Sequence, residues 1–306
     1  KNLLKKNSFQ VSKTMKKIRP SNLINMTIKT IKRRNFLAAT AAVPVVLPNS
    51  VFGANRKLNI AFIGMGGQIQ GHVRNTLQLG HNVTAFCDVD PNQTNNSLNR
   101  HKDKAKHVNT YIDYRQLLDK ERSLDAVVIG TPDHWHAPIC KAAMKAGKHV
   151  YCEKPLTHTI AESRELRNLS RISKVITQTG NQGSASSNLR RSIELIQSGL
   201  LGQVSNVHIW HPAHGWPNGG SRPAGEDPTP KGMNWDFWCG PSPIRPYKSS
   251  IYHPGKWRGW YDFGNGSIGD FCCHSFNMPV RALNLKYPSK VQISNVEKAG
   301  LETYAK

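Results

Sequence analysis

Leu58-Asn-Ile-Ala-Phe-Ile-Gly-Met-Gly-Gly67 decides the fold. A short apolar run closes on three glycines, and a helix-like stretch carrying Val73, Leu77 and Leu79 follows. Strand, glycine turn and helix, in that order, form the context of a dinucleotide-binding fingerprint. Glycines let backbone N–H groups approach a pyrophosphate, and the helix N-terminus adds partial positive charge. Gly64, Gly66 and Gly67 are therefore candidate cofactor contacts. Ile69 stands where the third glycine of G-x-G-x-x-G belongs, so the loop alone does not complete the pattern.

Outward from this loop, the run Asn82–Cys87 reads as the next strand and ends in Asp88. An acid there accepts hydrogen bonds from ribose hydroxyls and repels a 2′-phosphate, which favours NAD over NADP. Asp90 is the alternative acid, and capping of the turn at Pro91-Asn92 is the structural alternative for this acidic pair. Leu124–Ile129 is a continuous, mostly β-branched run of the kind that parallel sheets bury on both faces. Thr131-Pro-Asp-His-Trp-His136 follows, then a helix expected over Ala137–Ala146 and a strand over His149–Cys152. The alternation predicts a doubly wound parallel sheet. Ligands gather at the carboxyl ends of such strands, where Gly64, Asp88, Thr131 and Glu153 all fall. Further on, a helix is expected over Thr159–Ser173 and a last strand over Val175–Thr179. Another helix, Arg190–Ser198, then leads to a strand over Val204–Trp210, and Lys290–Val296 reads as a further strand.

Composition narrows the function. The chain of 306 residues holds 42 Lys and Arg against 19 Asp and Glu, a formal net charge of +23. Eleven of the basic residues precede Asn35, and no acidic residue occurs before Asp88, so about half of the excess sits in a leader. The rest is spread thinly, without the basic and aromatic block of a nucleic-acid footprint. The six cysteines form no C-x-x-C pair, which argues against a zinc ribbon or disulfide framework and for buried thiols. Lys32-Arg-Arg-Asn-Phe-Leu37, a mild apolar run to Leu47 and small residues at Gly53-Ala54 read as a signal peptide of twin-arginine type. The apolar run is too short to span a membrane, so no stable membrane insertion is expected. Residues 1–55 are thus expected to be a basic leader, with Met26 as a start of ordinary leader length and export to the periplasm or cell envelope as its consequence.

Gly64-x-Gly66-Gly67, Cys87-Asp-Val-Asp90, Thr131-Pro-Asp-His-Trp-His136 and Ala146-Gly-Lys-His-Val-Tyr-Cys-Glu-Lys-Pro155 together resemble the Gfo/Idh/MocA oxidoreductases. The resemblance runs from about Lys57 to Pro288. It implies a Rossmann domain over 56–180 and an α+β domain over 181–306 with an open, mostly antiparallel sheet, expected to continue beyond residue 306. It also implies cofactor contacts from Thr131, His136, Glu153, Lys154 and Asn181, with Lys154 at the catalytic centre beside the nicotinamide. Homo-oligomers are expected by the same analogy.

Asp270-x-x-x-His274 places two functional side chains on one helix face. Oxidising an alcohol by hydride transfer requires removal of the hydroxyl proton, and imidazole suits that task near neutral pH. His274 is the candidate base. Asp270 is expected to orient it or to bind substrate, Lys154 to support developing alkoxide charge, and Arg258 to contact substrate. A carboxylate and imidazole at i, i+4 can also ligate zinc, but no further ligand has matching spacing, and no metal is expected. Six of the seven tryptophans fall between residues 208 and 274. Their flat rings suit the apolar faces of a sugar or equally a loop-rich core. The expected activity is NAD(P)-dependent oxidation of a sugar or polyol, with cofactor held and recycled because an envelope offers no free pool. A glycosidase that uses NAD transiently and a non-catalytic NAD- or sugar-binding protein are the alternatives.

Overall fold

The computed structural model describes residues 57–105, 107–210, 220–292 and 302–304. The expected leader lies outside the described residues, as does most of the strand expected over 290–296.

Six parallel strands form one sheet in the order β3-β2-β1-β4-β5-β6. They are β1 Asn59–Ile63, β2 Asn82–Cys87, β3 Asn109–Tyr111, β4 Ala126–Ile129, β5 His149–Glu153 and β6 Thr177–Gly180. Between them run the helices α1 Ile69–Gln78, α2 Pro91–His101, α3 Tyr114–Lys120, α4 Asp133–Lys145 and α5 Ile160–Ile172. This is the doubly wound order, and its direction reverses between β1 and β4, which opens a crevice at their carboxyl ends. Alternate residues of β1 enter opposite cores. Ala61 and Ile63 pack with Val127, Ile139 and Met144, whereas Ile60 and Phe62 pack with Ile69, Val73 and Phe86. Burial of each large apolar side chain contributes roughly 1.5–3 kcal/mol. Cys87, Cys140 and Cys152 are buried free thiols in the first of these cores.

Local chemistry fixes the helix starts. Asp90 Oδ1 accepts from Asn92 N at 3.0 Å ahead of Pro91, and Thr159 with Glu162 completes a capping box on α5. The capping alternative for the acidic pair is thus realised by Asp90. Helix α4 starts at Asp133, ahead of the expected Ala137, and β6 starts at Thr177 rather than Val175.

The second half contributes α6 Ser187–Gln197, α7 Trp235–Cys239, α8 Gly266–Ser275 and α9 Asn277–Ala282, with 3-10 turns at Gln182–Ala185 and Lys256–Gly259. Among the described residues it shows no sheet of its own, only an antiparallel bridge between Trp260 and Thr303. Among the described residues no segment pairs with Val204–Trp210, and the strand expected there is not seen. Among the described tryptophans of this stretch, four join a core and Trp210 is exposed. Trp238, Trp257 and Trp260 are buried with Tyr247, Tyr252 and Phe263, and Trp235 stacks on Trp238 at 4.7 Å. Among the described residues no helix is long and apolar enough to cross a membrane.

Candidate functional site

The crevice at the reversal point is a cavity of about 520 Å3. Gly64, Gly66, Gly67, Asp88 and Thr131 line one wall; Phe237, Trp238, His253, Trp257 and Arg258 line the other. Gly64 has φ +84° and gives its N–H to Cys87 O at 2.8 Å. A Cβ at residue 64 would lie 2.6 Å from Thr131 N, so the β1 turn and the β4 end pass closer than any side chain permits. Gly66 and Gly67 face open space, as a backbone meant to be approached by a ligand would. The third glycine is relocated. Ile69 is buried, and its Cδ1 lies 2.6 Å from where a Cβ of Gly130 would be, so close helix-to-strand packing is provided from the β4 side.

Asp88 accepts from Met65 N at 2.7 Å on Oδ2 and from Asp90 N at 2.9 Å on Oδ1. Each oxygen keeps a second lone pair for a ribose hydroxyl. Burial pushes its carboxyl up to about 6, against the two backbone N–H groups that hold it down. Asp90 is committed elsewhere, to its helix cap and to His253 Nε2 at 3.0 Å.

The outer wall is pinned to the Rossmann half. Asn234 N donates to Val89 O at 2.9 Å, Trp135 Nε1 donates to Phe237 O at 2.9 Å, and His253 meets Asp90. His134 sits between Phe263 O at 3.2 Å and Trp238 O at 3.0 Å, and burial pushes its ring down to about 4. It is a neutral structural link between α4 and the aromatic core.

At the end of β5, Lys154 Nζ donates to Asp270 Oδ1 at 2.7 Å and to Asp270 O at 3.1 Å. Arg258 Nε approaches the same Oδ1 at 3.4 Å, so Arg258 belongs both to the cleft wall and to this charged pair. Lys154, Arg258 and Asp270 are thus brought together from positions up to 116 residues apart. His274 shares α8 with Asp270 but is turned toward Asn181, whose Oδ1 lies 2.9 Å from His274 Nδ1. Asn181 Nδ2 donates to Cys273 O, which fixes the amide. Asp270 thus holds Lys154, and Asn181 holds His274. Asp270 also answers to two cations, Lys154 and Arg258.

Two other expected cofactor contacts lie behind the site. His136 is buried, with Nδ1 2.6 Å from Pro155 O and Nε2 2.9 Å from Thr131 O, so it binds two strand-end loops to each other. Burial lowers its pKa. Glu153 is buried and meets His72 Nε2 at 2.6 Å and Gln182 Nε2, tying β5 to α1 and to the turn after β6. Both residues, implied as cofactor contacts by the family resemblance, are held here by groups at the sheet's end. Phe237 and His253 were not singled out as cleft residues, because they reach the site only through long-range packing of the second half, whereas Trp238 and Trp257 belong to the ring set read as sugar-facing or core.

Comparison with known proteins fits this geometry. Residues 58–181 match a model described as "Oxidoreductase family, NAD-binding Rossmann fold", and residues 186–299 match its companion, "Oxidoreductase family, C-terminal alpha/beta domain". The chain belongs to the Gfo/Idh/MocA family. One similar relative is a glycosyl hydrolase family 109 protein of Shewanella pealeana, 33% identical over 111 residues, or 34% of this chain and 24% of that protein. Another is inositol 2-dehydrogenase of Salmonella typhimurium, 31% identical over 159 residues, or 51% of this chain and 45% of that protein. Among solved structures, myo-inositol 2-dehydrogenase from Lactobacillus plantarum is 28% identical with a TM-score of 0.44, covering 49% of this chain and 43% of that one. The chain spans less than half the length of these relatives.

For a Gfo/Idh/MocA chain the glycine cradle and Asp88 are the groups that would hold NAD. NAD affinity is expected to be level above about pH 7 and to weaken as pH falls through about 6, by at most about tenfold per pH unit. The ionised Asp88 can accept from ribose hydroxyls on both oxygens, and a proton takes one of these acceptors and weakens the other. Calorimetric Kd values across pH 5 to 8 check this; a flat profile, or one unchanged in Asp88→Asn, removes Asp88 from ribose binding.

Proposed function

We propose that this chain binds NAD and transfers hydride between it and a hydroxyl-bearing carbon of a sugar or polyol. The observation that carries the reading is the Lys154–Asp270 pair, joined through Arg258 to the nucleotide cleft. When bound, NAD would accept the hydride or return it. Lys154 Nζ, oriented by Asp270, donates a hydrogen bond to the reacting oxygen and stabilises its developing negative charge. His274 gives its Nδ1–H to Asn181 Oδ1, which places the ring's basic lone pair on Nε2, the atom assigned to take the hydroxyl proton. The pinned outer wall supports slow release of the nucleotide.

Residues 1–55 support export in folded form with NAD already loaded, and hence regeneration of the cofactor within the site. A second reading is favoured by the relative named for glycosyl hydrolase family 109. A sugar transiently oxidised, cleaved by elimination of its aglycone, hydrated by addition of water to the resulting double bond and reduced again would use the same lysine and histidine.

The deciding experiment is mass spectrometry of the purified, undialysed protein, followed by nicotinamide fluorescence against a panel of polyols and aryl glycosides. Co-purified NAD and a fluorescence change with a polyol are expected, the change lost in His274→Ala while NAD stays bound. Release of the aryl group without net fluorescence change selects the glycosidase reading. Absence of NAD together with silence toward every compound overturns both.

A further inference from the structure

Asp133 has no assigned role, although it begins α4 at the centre of the Thr131–His136 stretch. Its side chain is buried, at 1% exposure. Oδ2 accepts from Asn265 N at 3.1 Å and from Asn265 Nδ2 at 3.2 Å. The same Asn265 amide also reaches Thr157 O at 3.0 Å, in the loop after β5. Asn265 immediately precedes α8, and a Cβ on Gly269 would lie 2.1 Å from Asn265 Cβ, so this residue lies flush against the first turn of the helix. One residue beyond Gly269, Asp270 receives Lys154. The Asp133 carboxyl and the Asn265 amide together thus link three elements, α4, the β5 loop and α8, within the first turns of the helix that carries Asp270.

The two oxygens of Asp133 are not equivalent. Oδ2 receives both donors, whereas Oδ1 is buried without a hydrogen-bond partner. A charged oxygen in that position would be costly. The groups that act on it are Asp270 from α8, Arg258 from the 3-10 turn, Lys154 and Cys152 from β5, and Tyr304. Burial, then the Asp270 charge, push the carboxyl up to about 8 against the opposing cations.

We propose that Asp133 is a positioning residue for the Lys154–Asp270 pair, acting through Asn265 and carrying its proton on Oδ1. Its catalytic consequence rests on the hydride-transfer reading, but its geometry does not. The neutral acid accepts from Asn265 on Oδ2 without placing a second negative charge beside Asp270. Raising the pH would ionise it and loosen the seat of α8.

Amide hydrogen exchange, resolved by mass spectrometry and corrected for the intrinsic effect of pH, reads this directly. In Asp133→Ala and Asn265→Ala, amides 266–275 are expected to lose protection at pH 7 while β1, β2 and β4 keep theirs. Asp133→Asn, which still offers an amide oxygen to Asn265, is expected to keep α8 protected. Wild-type α8 should lose protection as pH rises through about 8, whereas Asp133→Asn should not. Unchanged α8 exchange in Asn265→Ala overturns the positioning role. Identical pH profiles for wild type and Asp133→Asn overturn the assignment of the proton. Should Asp133→Ala fail to fold, the other two variants carry the test.

In turnover, Asp133→Ala is expected to lose about 10- to 100-fold in kcat, as small misplacements of catalytic groups do. NAD affinity is expected to hold, and Asp133→Asn to recover to within a few-fold. Loss of NAD affinity in step with kcat would mark a general structural role and overturn the proposal. If the wild type turns over no sugar or polyol, the functional reading fails and the exchange result still decides the role of Asp133.

Discussion

Lys154→Met is expected to leave NAD bound and to cut polyol turnover by at least about a hundredfold, with kcat taking the loss rather than KM for the nucleotide. Lys154 supplies the donor nearest the charged centre, and Asp270 holds it with two hydrogen bonds. Methionine fills similar volume but removes the charge, leaving the buried Asp270 carboxylate with Arg258 at 3.4 Å as its remaining cation. Removing one partner from a buried pair destabilises by about 3–5 kcal/mol when the other charge is left uncompensated. Arg258 offsets part of this, so a smaller decrease is expected. Single-turnover kinetics with loaded enzyme, alongside thermal unfolding, separate the chemical effect from the structural one. Turnover within tenfold of wild type would remove Lys154 from the chemistry.

Gly64→Ala is expected to act on fold and nucleotide together. The left-handed conformation at φ +84° costs a non-glycine residue roughly 1–2 kcal/mol. The new Cβ would also meet backbone atoms of Gly130 and Thr131 at 2.6–2.8 Å, where no flexible side chain can yield. A fall in Tm of roughly 5 °C or more follows from a loss of about 2 kcal/mol in a chain of this size. NAD binding should weaken beyond about a hundredfold as the loop shifts. Gly66→Ala is the informative contrast, because nothing lies within 4 Å of its Cβ position. It should keep the wild-type Tm and weaken NAD alone. A Gly64→Ala protein with wild-type Tm would contradict the close approach of the two turns.

The parallel sheet was legible because strands buried on both faces are written as near-continuous apolar runs. Ile60–Ile63 and Ala126–Ile129 needed no partner to be recognised. The side-chain alliances were less so. A spacing of four residues shows that Asp270 and His274 share a helix, but not that the helix turns the first toward Lys154 and the second toward Asn181. Those partners lie 116 and 93 residues away. The tryptophans posed a similar problem, since composition gathers rings into a segment without saying whether they face ligand or one another. Here Trp257 and Trp238 do both, as members of the aromatic core and of the cleft wall. Asp133 was overlooked inside a motif that had been noticed for its ends. Its signal, an acid at the first position of a helix, reads locally as a favourable charge for the helix dipole.

The packing of Ile69 against Gly130 makes two positions, 61 residues apart, behave as one site of variation. A glycine at 69 would vacate space that a small side chain at 130 could occupy, so the close packing the third glycine gives in the loop pattern is met here by the pair across the two elements.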